Sequence, residues 1–295
     1  MNQASTLQKM MDHVDNDKRA MRTKAGGTPP RVICVTSGKG GVGKTNIVTN
    51  LAYALTKLGK KVLILDADLN LANVDVLLGL TPRFNLHHVL LGEKSLTEIL
   101  VDGPGGFKLL PASSGIMELA SLTESQKLYF MGEMETVGDK IDIMLVDTGA
   151  GINDNVIYFN LAAQERIIVL TPEPTSLTDA YALIKVLSGR HDVKRFRILI
   201  NNADSEKDAL TVFRKLSVVA DRFLDSISLD LVGYIPFDRH LPKAVRRQKL
   251  VSELFPNADS SQKFNSISAQ LIAEKPNQHN DGNIKFFWQG LLDLS

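Results

Sequence analysis

The sequence predicts an α/β protein: a doubly wound, mostly parallel sheet with helices on both faces. The first observation is that short runs rich in Val, Ile and Leu alternate with longer helical patterns. Such alternation is typical of parallel strands joined by helical crossovers. The second is that these runs are apolar throughout, as in strands that are covered on both faces. In such sheets ligands bind at the carboxyl ends of the strands.

Apolar runs in chain order are the predicted strands, and the segments between them are the predicted helices. The runs read RVICVT, KVLILD, IDIMLVD, RIIVLT, RFRILIN and LDLVGYIP. Among the intervening segments, GKTNIVTNLAYALTKLG and SLTDAYALIKVLSG have helical spacing and end at glycine, a common residue at helix C-termini. We place the α/β domain at residues 31–275.

Composition limits the classes of protein to consider. The chain has 295 residues, of which 34 are basic and 33 acidic, for a formal net charge of +1. This balance argues against general nucleic-acid binding, so we expect no direct nucleic-acid partner. Its single cysteine excludes an intramolecular disulfide. No apolar run reaches the ~20 residues that span a bilayer, and the N-terminus lacks an apolar signal sequence. We expect a cytoplasmic protein.

Both ends of the chain differ from the central domain. Residues 1–30 are polar and charged, with apolar residues at helical spacing from Ala4 to Val14, and they end in the linker-like KAGGTPP. Residues 276–295 are a polar spacer and a predicted amphipathic helix. The apolar face of that helix holds Ile284, Phe287, Trp288, Leu291 and Leu292. Such a face suits burial in a membrane interface or, alternatively, packing in a groove of the same domain.

A glycine-rich loop follows the first predicted strand and precedes a helical pattern. It reads SGKGGVGKTN and contains the Gly-x-x-x-x-Gly-Lys-Thr pattern of a phosphate-binding loop, or P-loop. Glycines let backbone N–H groups close around phosphate oxygens, while the lysine contacts phosphate and the threonine hydroxyl ligates Mg²⁺. We therefore expect ATP or ADP with Mg²⁺ at Gly38, Gly40, Gly41, Val42, Gly43, Lys44, Thr45 and Asn46.

Aspartates end two other predicted strands. Asp66 and Asp68 follow KVLIL, and Asp147 ends IDIMLV. Because the carboxyl ends of parallel strands share one edge of the sheet, we expect these carboxylates near the P-loop. Asp147 fits the role of holding Mg²⁺ through a water molecule. Taken one at a time, each aspartate could instead cap a helix or form a turn.

The loop has a second lysine, Lys39, beyond the one that a P-loop requires. With this lysine, the segments KGGVGKT, DADLNLANVD and DTGAG resemble the deviant Walker A ATPases related to MinD and ParA. The resemblance implies an ATP-dependent homodimer in which Lys39 reaches the phosphates bound by the partner subunit. It also implies that Asp68 positions the attacking water and that Asp66 supports the P-loop lysine or the magnesium shell. The adenine contacts that it implies are Asn201, Asn202 and Pro236.

The two termini resemble one branch of this family, the flagellar-number regulators called FlhG, FleN or YlxH. These carry an N-terminal element Asp-Gln-Ala-x-x-Leu-Arg, which Gln3, Ala4 and Leu7 match, while Asn2 and Gln8 depart from it. The resemblance implies that this element stimulates the GTPase of an FlhF-type partner. It also implies that the C-terminal helix enters the membrane interface when ATP drives dimerisation.

We therefore expect an ATPase that regulates the number or placement of flagella. It would cycle between a cytoplasmic monomer and a dimer on the inner face of the cell membrane, near the cell pole. Further partners implied by the resemblance are flagellar switch proteins or a flagellar transcriptional regulator. Two alternatives stay open: a MinD- or ParA-like positioning ATPase for another cargo, and a nucleotide-dependent regulator that binds a flagellar transcription factor with little turnover.

Overall fold

The computed structural model describes residues 30–68, 73–111, 124–224 and 226–274, which form a sheet between layers of helices. Its strands are β1 (Arg31–Ser37), β2 (Val62–Ala67), β3 (Val101–Asp102), β4 (Lys108–Pro111), β5 (Ile143–Ala150), β6 (Glu165–Leu170), β7 (Arg195–Ala203) and β8 (Ser228–Pro236). Its helices are α1 (Lys44–Lys57), α2 (Val74–Leu78), α3 (Leu86–Leu90), α4 (Leu96–Ile99), α5 (Glu124–Gly138), α6 (Asp154–Ala162), α7 (Pro174–His191), α8 (Glu206–Phe223), α9 (His240–Val245), α10 (Val251–Leu254) and α11 (Asp259–Ala273). A 3₁₀ turn covers Pro104–Gly106.

Within the described residues the sheet has eight strands in the order β3-β4-β2-β5-β1-β6-β7-β8. All neighbours are parallel except β3 and β4, which are antiparallel. The chain builds outward from β1 in both directions, so the predicted doubly wound, mostly parallel fold is confirmed. The six predicted strands are all present, whereas β3 and β4 were not predicted because both are very short.

Alternate residues of the central strands feed cores on opposite faces of the sheet. On β1, Ile33 and Val35 pack with α1 and α11, whereas Val32 and Cys34 join the core under α3 and α5. Every residue of β1, β2 and β6 is buried. This two-sided burial explains why these strands read as continuous apolar runs, and it leaves the strand ends as the places where polar chemistry collects.

Both terminal predictions concern parts of the chain outside the described residues. These are the partner element at Gln3, Ala4 and Leu7 and the helix carrying Ile284 to Leu292. Across the described ranges, no helix combines the length and apolar character needed to cross a bilayer.

Candidate nucleotide-binding site

The P-loop joins β1 to α1 at the carboxyl edge of the sheet, between residues 38 and 43. Gly43 lies at the N-terminus of α1 with φ +91°, in the left-handed region that favours glycine. A Cβ added there would come within 2.5 Å of Asn201 Nδ2, which itself donates a hydrogen bond of 2.7 Å to the carbonyl of Val42. Asn201 therefore supports the loop from the end of β7.

Helix α7 packs directly on the front of the loop. A Cβ added to Gly38 would lie 2.1 Å from the backbone oxygen of Asp179, so no larger residue fits without moving α7. Gly40 and Gly41 are exposed, while Val42 is buried, and Asn46 is half-buried in the first turn of α1. The loop thus has an open side that faces solvent and a closed side fixed by α7 and β7.

Lys44 is the buried cation of this site. Only 8% of the residue is exposed, and its ammonium donates to Ser37 Oγ at 3.0 Å. Burial lowers the pKa of Lys44, while the charges of Asp147 and Asp68 oppose that shift. A buried ammonium beside a helix N-terminus favours an anion such as phosphate.

Asp147 is the buried anion. The residue is 1% exposed, and neither carboxylate oxygen has a hydrogen bond of normal geometry with any described residue. Burial raises the pKa of Asp147 to about 7; the charge of Asp66, its neighbour in register on β2, adds to the rise, while the Thr45 hydroxyl and the Lys44 ammonium oppose it. An unpartnered buried carboxylate is costly. A cation at this position would remove that cost.

Asp66 and Asp68 are joined to the start of α2. Asp66 Oδ2 accepts from the backbone N–H groups of Asn73 and Val74, both at 3.1 Å. Burial raises the pKa of Asp66 to about 6 in spite of these bonds. The Asn73 side-chain amide donates to Asp68 Oδ2 at 2.9 Å, and a Cβ added at Gly149 would lie 3.5 Å from Asp68 Oδ1. The structure therefore brings the two predicted acidic segments together.

The arrangement fits Mg²⁺ held jointly by protein and nucleotide. Thr45 and Asp147 supply an oxygen-rich pair near Lys44. Asp66 accepts hydrogen bonds mainly from backbone N–H groups, so its place in the magnesium shell stays a prediction. Among the described residues, no group of three or more His, Cys, Asp or Glu side chains could hold a metal by itself. Protein sites for Mg²⁺ usually combine one or two carboxylates with water and substrate phosphates.

Lys39 does not join Lys44. Its ammonium bonds to Glu173 Oε2 at 2.5 Å and to Thr175 Oγ1 at 2.9 Å, both at the start of α7. About a third of its side chain, 35%, is exposed. The second lysine of the loop thus lies on the surface of its own chain, bonded to the start of α7 and not at the position that Lys44 occupies. Sequence reasoning missed Glu173 because an acidic residue in a loop gives no signal of a contact so distant in sequence.

The predicted adenine contacts lie at the same edge of the sheet. Asn202 is exposed at the end of β7 with φ +59°, and Pro236 is half-buried at the end of β8. The Asn201 amide nitrogen is already bonded to the P-loop, which gives Asn201 a role that the sequence did not indicate. Contacts of these residues with adenine stay predictions.

Comparisons with known proteins match this chain over most of its length. A family model described as an AAA domain matches residues 30–199. The Pseudomonas aeruginosa protein named antiactivator FleN is 47% identical over 265 residues, which are 90% of this chain and 94% of FleN. The Helicobacter pylori protein named flagellum site-determining protein YlxH is 37% identical over 273 residues, which are 92% of this chain and 91% of YlxH.

Solved structures with the same fold include cell-division proteins named MinD. MinD from Aquifex aeolicus superposes with a TM-score of 0.63 at 30% identity, covering 85% of this chain and 100% of that one. MinD from Pyrococcus horikoshii, complexed with Mg-ADP, gives a TM-score of 0.64 at 24% identity over 84% of this chain and 99% of that one, a likeness of fold. From its P-loop, its paired acidic strand ends and these relatives, the chain belongs to the FlhG/FleN family of MinD-like ATPases.

Proposed function

We propose that this protein is an ATP-driven switch that regulates the number or placement of flagella, and that its ATP-bound state is a homodimer. Two relatives match nearly the whole chain: one is named antiactivator FleN, and the other is named flagellum site-determining protein YlxH. The name antiactivator describes a protein that opposes an activator, which supports our proposal that one partner is a flagellar regulator.

The observation that carries the dimer proposal is the position of Lys39. Lys44 already serves the phosphate site of its own subunit, whereas Lys39 rests on Glu173 and Thr175. Exposed ion pairs of this kind are weak, so a phosphate with several negative charges competes for the ammonium easily. When a second subunit approaches, its bound triphosphate draws Lys39 from Glu173, much as an arginine finger completes a GTPase site.

In the proposed hydrolysis step, each carboxylate has a separate task. Asp68, oriented by the Asn73 amide, accepts a hydrogen bond from the attacking water and aligns it with the terminal phosphate. Lys44 and the loop N–H groups hold the phosphate oxygens as negative charge redistributes. Bound Mg²⁺, held by Thr45 and Asp147, would neutralise part of that charge. Asp66 keeps α2 in place.

A lysine-to-alanine pair tests the trans role. Lys39→Ala should retain ATP binding but lose ATP-dependent dimerisation, measured by light scattering with a slowly hydrolysed analogue, and should lose most turnover. The matched control is Lys61→Ala, an exposed lysine at the opposite edge of the sheet, which should behave as wild type. Wild-type dimerisation and turnover in Lys39→Ala would remove the trans role.

The remaining partners belong to the two ends of the chain. We propose that residues 1–20 stimulate an FlhF-type GTPase and that residues 276–295 bring the dimer to the inner face of the membrane. Deleting residues 1–20 should abolish GTPase stimulation but leave ATP turnover intact. Deleting residues 276–295 should abolish sedimentation with anionic vesicles in the presence of ATP. Retention of either property by its deletion variant would refute the corresponding assignment.

A regulator with little turnover is the second candidate, and the name antiactivator favours it. Turnover measured with and without vesicles separates the two. A rate that stays below about one per hour in both conditions, with retained binding of a flagellar regulator, would favour the low-turnover regulator over the cycling switch, because most enzymes turn over at 1 s⁻¹ or faster.

A further inference from the structure

Gln248 has a backbone conformation that its residue type disfavours. It follows α9 with φ +52°, in the left-handed region, although it has a long side chain. The N–H groups of Arg247 and Lys249 both donate to the carbonyl of Ala244, at 2.9 and 3.1 Å, so this is a helix C-cap. The left-handed position of such a cap is usually glycine, because a Cβ there is strained. A glutamine at this position needs an explanation from its side chain.

The Gln248 side chain contacts the short helix α2. Its Nε2 donates a hydrogen bond of 2.8 Å to the carbonyl of Val76, a residue 172 positions away in the sequence. It also lies over Gly79, where an added Cβ would come 3.1 Å from Gln248 Oε1. Helix α2 has only five residues, of which Val74 and Leu78 are buried. Asp66 accepts hydrogen bonds at its N-terminal end, whereas the Gln248 side chain contacts its C-terminal half.

The opposite end of α2 orients the carboxylates of the nucleotide site. Asn73 precedes the helix, and its carbonyl accepts from the N–H of Leu77 at 3.0 Å. The Asn73 side chain donates to Asp68 at 2.9 Å, and its backbone N–H donates to Asp66 at 3.1 Å. A continuous series of hydrogen bonds therefore leads from Gln248, through one turn of helix, to Asp68.

We propose that Gln248 is a positioning residue for ATP hydrolysis: it fixes α2 so that Asn73 holds Asp68 in line with the attacking water. The proposal rests on the role proposed above for Asp68. Without the Gln248 bond, α2 samples more positions, and Asp68 spends less time in the productive one. Nucleotide binding depends on the P-loop and Lys44, which Gln248 does not contact, so the effect falls on turnover.

Replacement by glycine separates positioning from stability. Gln248→Gly removes the side chain and also relieves the left-handed strain, so the thermal unfolding midpoint should stay equal to wild type or rise. We expect kcat to fall at least about five-fold, since small displacements of catalytic groups are costly, while the nucleotide Kd stays within about two-fold. A purely structural role for Gln248 would instead lower the midpoint along with kcat.

Two further variants isolate the hydrogen bond. Gln248→Glu keeps the side-chain length but replaces the donor by an acceptor that faces the Val76 carbonyl, so kcat should fall as in the glycine variant. The matched control is Gln262→Glu on α11, because Gln262 Nε2 likewise donates to a backbone carbonyl, that of Pro256, at 3.0 Å. This control should keep wild-type kcat, since it removes an equivalent bond away from α2.

A double-mutant cycle identifies the route of the effect. If Gln248 acts through Asn73, the variant carrying both Asn73→Ala and Gln248→Gly should be no slower than Asn73→Ala alone. Fully additive losses would overturn the proposal, as would wild-type kcat in both Gln248 variants.

The variant Asp68→Ala separates a failure of the role proposed for Asp68 from a failure of the role proposed for Gln248. Full turnover by Asp68→Ala would overturn the role of Asp68 and this proposal together. Slow turnover by Asp68→Ala, with wild-type kcat in the Gln248 variants, would overturn this proposal alone.

Discussion

The two ends of one sheet both bury charged side chains, and they treat them in opposite ways. At the amino ends of the strands, Glu165 on β6 bonds to Arg31 on β1 and to Arg197 on β7. Arg31 also donates to the carbonyl of Leu271 near the end of α11. At the carboxyl ends, Asp147 is more deeply buried than Glu165, yet neither of its oxygens has a hydrogen bond of normal geometry within the described residues.

The pKa values of the two carboxyls record this difference. Burial favours the neutral form of both groups. At Glu165, the hydrogen bonds and charges of Arg31 and Arg197 outweigh burial and hold its pKa below the usual value. At Asp147, burial and the charge of Asp66 prevail and raise the pKa to about 7. At the amino ends each buried charge is matched by an opposite charge, whereas at the carboxyl ends the Thr45 hydroxyl and the Lys44 ammonium offset burial only in part, and a bound cation would offset it further.

Removing Glu165 should produce the largest effect on stability. Glu165→Ala leaves Arg31, whose side chain is 8% exposed, buried without a carboxylate partner, and it removes one of the two carboxylates that pair with Arg197, which keeps Glu274. Breaking a buried ion pair in this way costs about 3–5 kcal/mol, so the free energy of unfolding in urea should fall by that amount. The control is Asp102→Ala, which breaks an exposed pair with Lys108 and should cost at most about 1 kcal/mol. Equal losses in both variants would mean that the buried network does not stabilise the fold.

Removing the charge of Asp147 should affect ligand binding and leave the fold intact. Asp147→Asn keeps the size of the side chain but cannot bear the unpaired charge, so the nucleotide-free protein should be at least as stable as wild type at pH 8. Affinity for the nucleotide in the presence of Mg²⁺ should fall roughly 10–100-fold, the usual range for residues that orient metal ligands. Affinity measured in EDTA should change little. A loss of stability comparable to that of Glu165→Ala would contradict the contrast between the two ends.

The raised pKa of Asp147 also predicts a pH dependence. Mg²⁺ requires the ionised carboxylate, so the affinity for Mg²⁺-nucleotide should increase by less than ten-fold per pH unit up to about pH 7. Above that pH the affinity should level off. Stability of the nucleotide-free protein should show the opposite trend. Between about pH 4 and 7 the folded state holds a proton that the unfolded state releases, so stability falls as the pH rises through this window.

Urea unfolding and nucleotide titration over this pH range check both trends. Asp147→Asn should remove most of the pH dependence of both stability and Mg²⁺-nucleotide affinity. A weaker pH dependence of stability should remain at lower pH because the pKa of Asp66 is raised to about 6. Glu165 affects the pH dependence of stability in the opposite direction. Its contribution is present above its unfolded pKa, near 4.5, and is lost as the pH falls through its lower folded value. Unchanged pH profiles in Asp147→Asn would show that another group controls them.

Sequence patterns predicted the parts of this site that are local in the chain. The P-loop and the strand-ending Asp66 and Asp147 belong to contiguous motifs whose residue types follow from phosphate and magnesium chemistry. Gln248 could not be predicted, because its partner Val76 is brought near only by the tertiary fold. Asn201 shows a third case: the family resemblance implied that it contacts adenine, which stays a prediction, whereas in the structure its amide donates to the P-loop carbonyl of Val42.

Releasing Lys39 from Glu173 should have the smallest effect on the free energy of unfolding. It tests whether this ion pair at the carboxyl edge of the sheet opposes dimerisation. Glu173→Gln weakens an ion pair whose carboxylate is 60% exposed, so the free energy of unfolding should change by less than about 1 kcal/mol. If Glu173 competes with the partner's phosphates for Lys39, the ATP-dependent dimer should tighten by up to about five-fold for each of its two Lys39 residues, which corresponds to that same energy per subunit. Sedimentation equilibrium with a slowly hydrolysed ATP analogue measures this.

The matched variant is Glu98→Gln on α4, which breaks another exposed lysine–glutamate pair, with Lys94 at 3.0 Å, and should leave the dimer constant unchanged. A weaker dimer in Glu173→Gln would mean that Glu173 makes a favourable contact across the interface. The pairing of Glu173 with Lys39 would then not restrain dimerisation. A tighter dimer that disappears when Lys39→Ala is added would show that the restraint acts on Lys39 itself. In that case, an exposed ion pair within each subunit would set the threshold at which ATP closes the dimer.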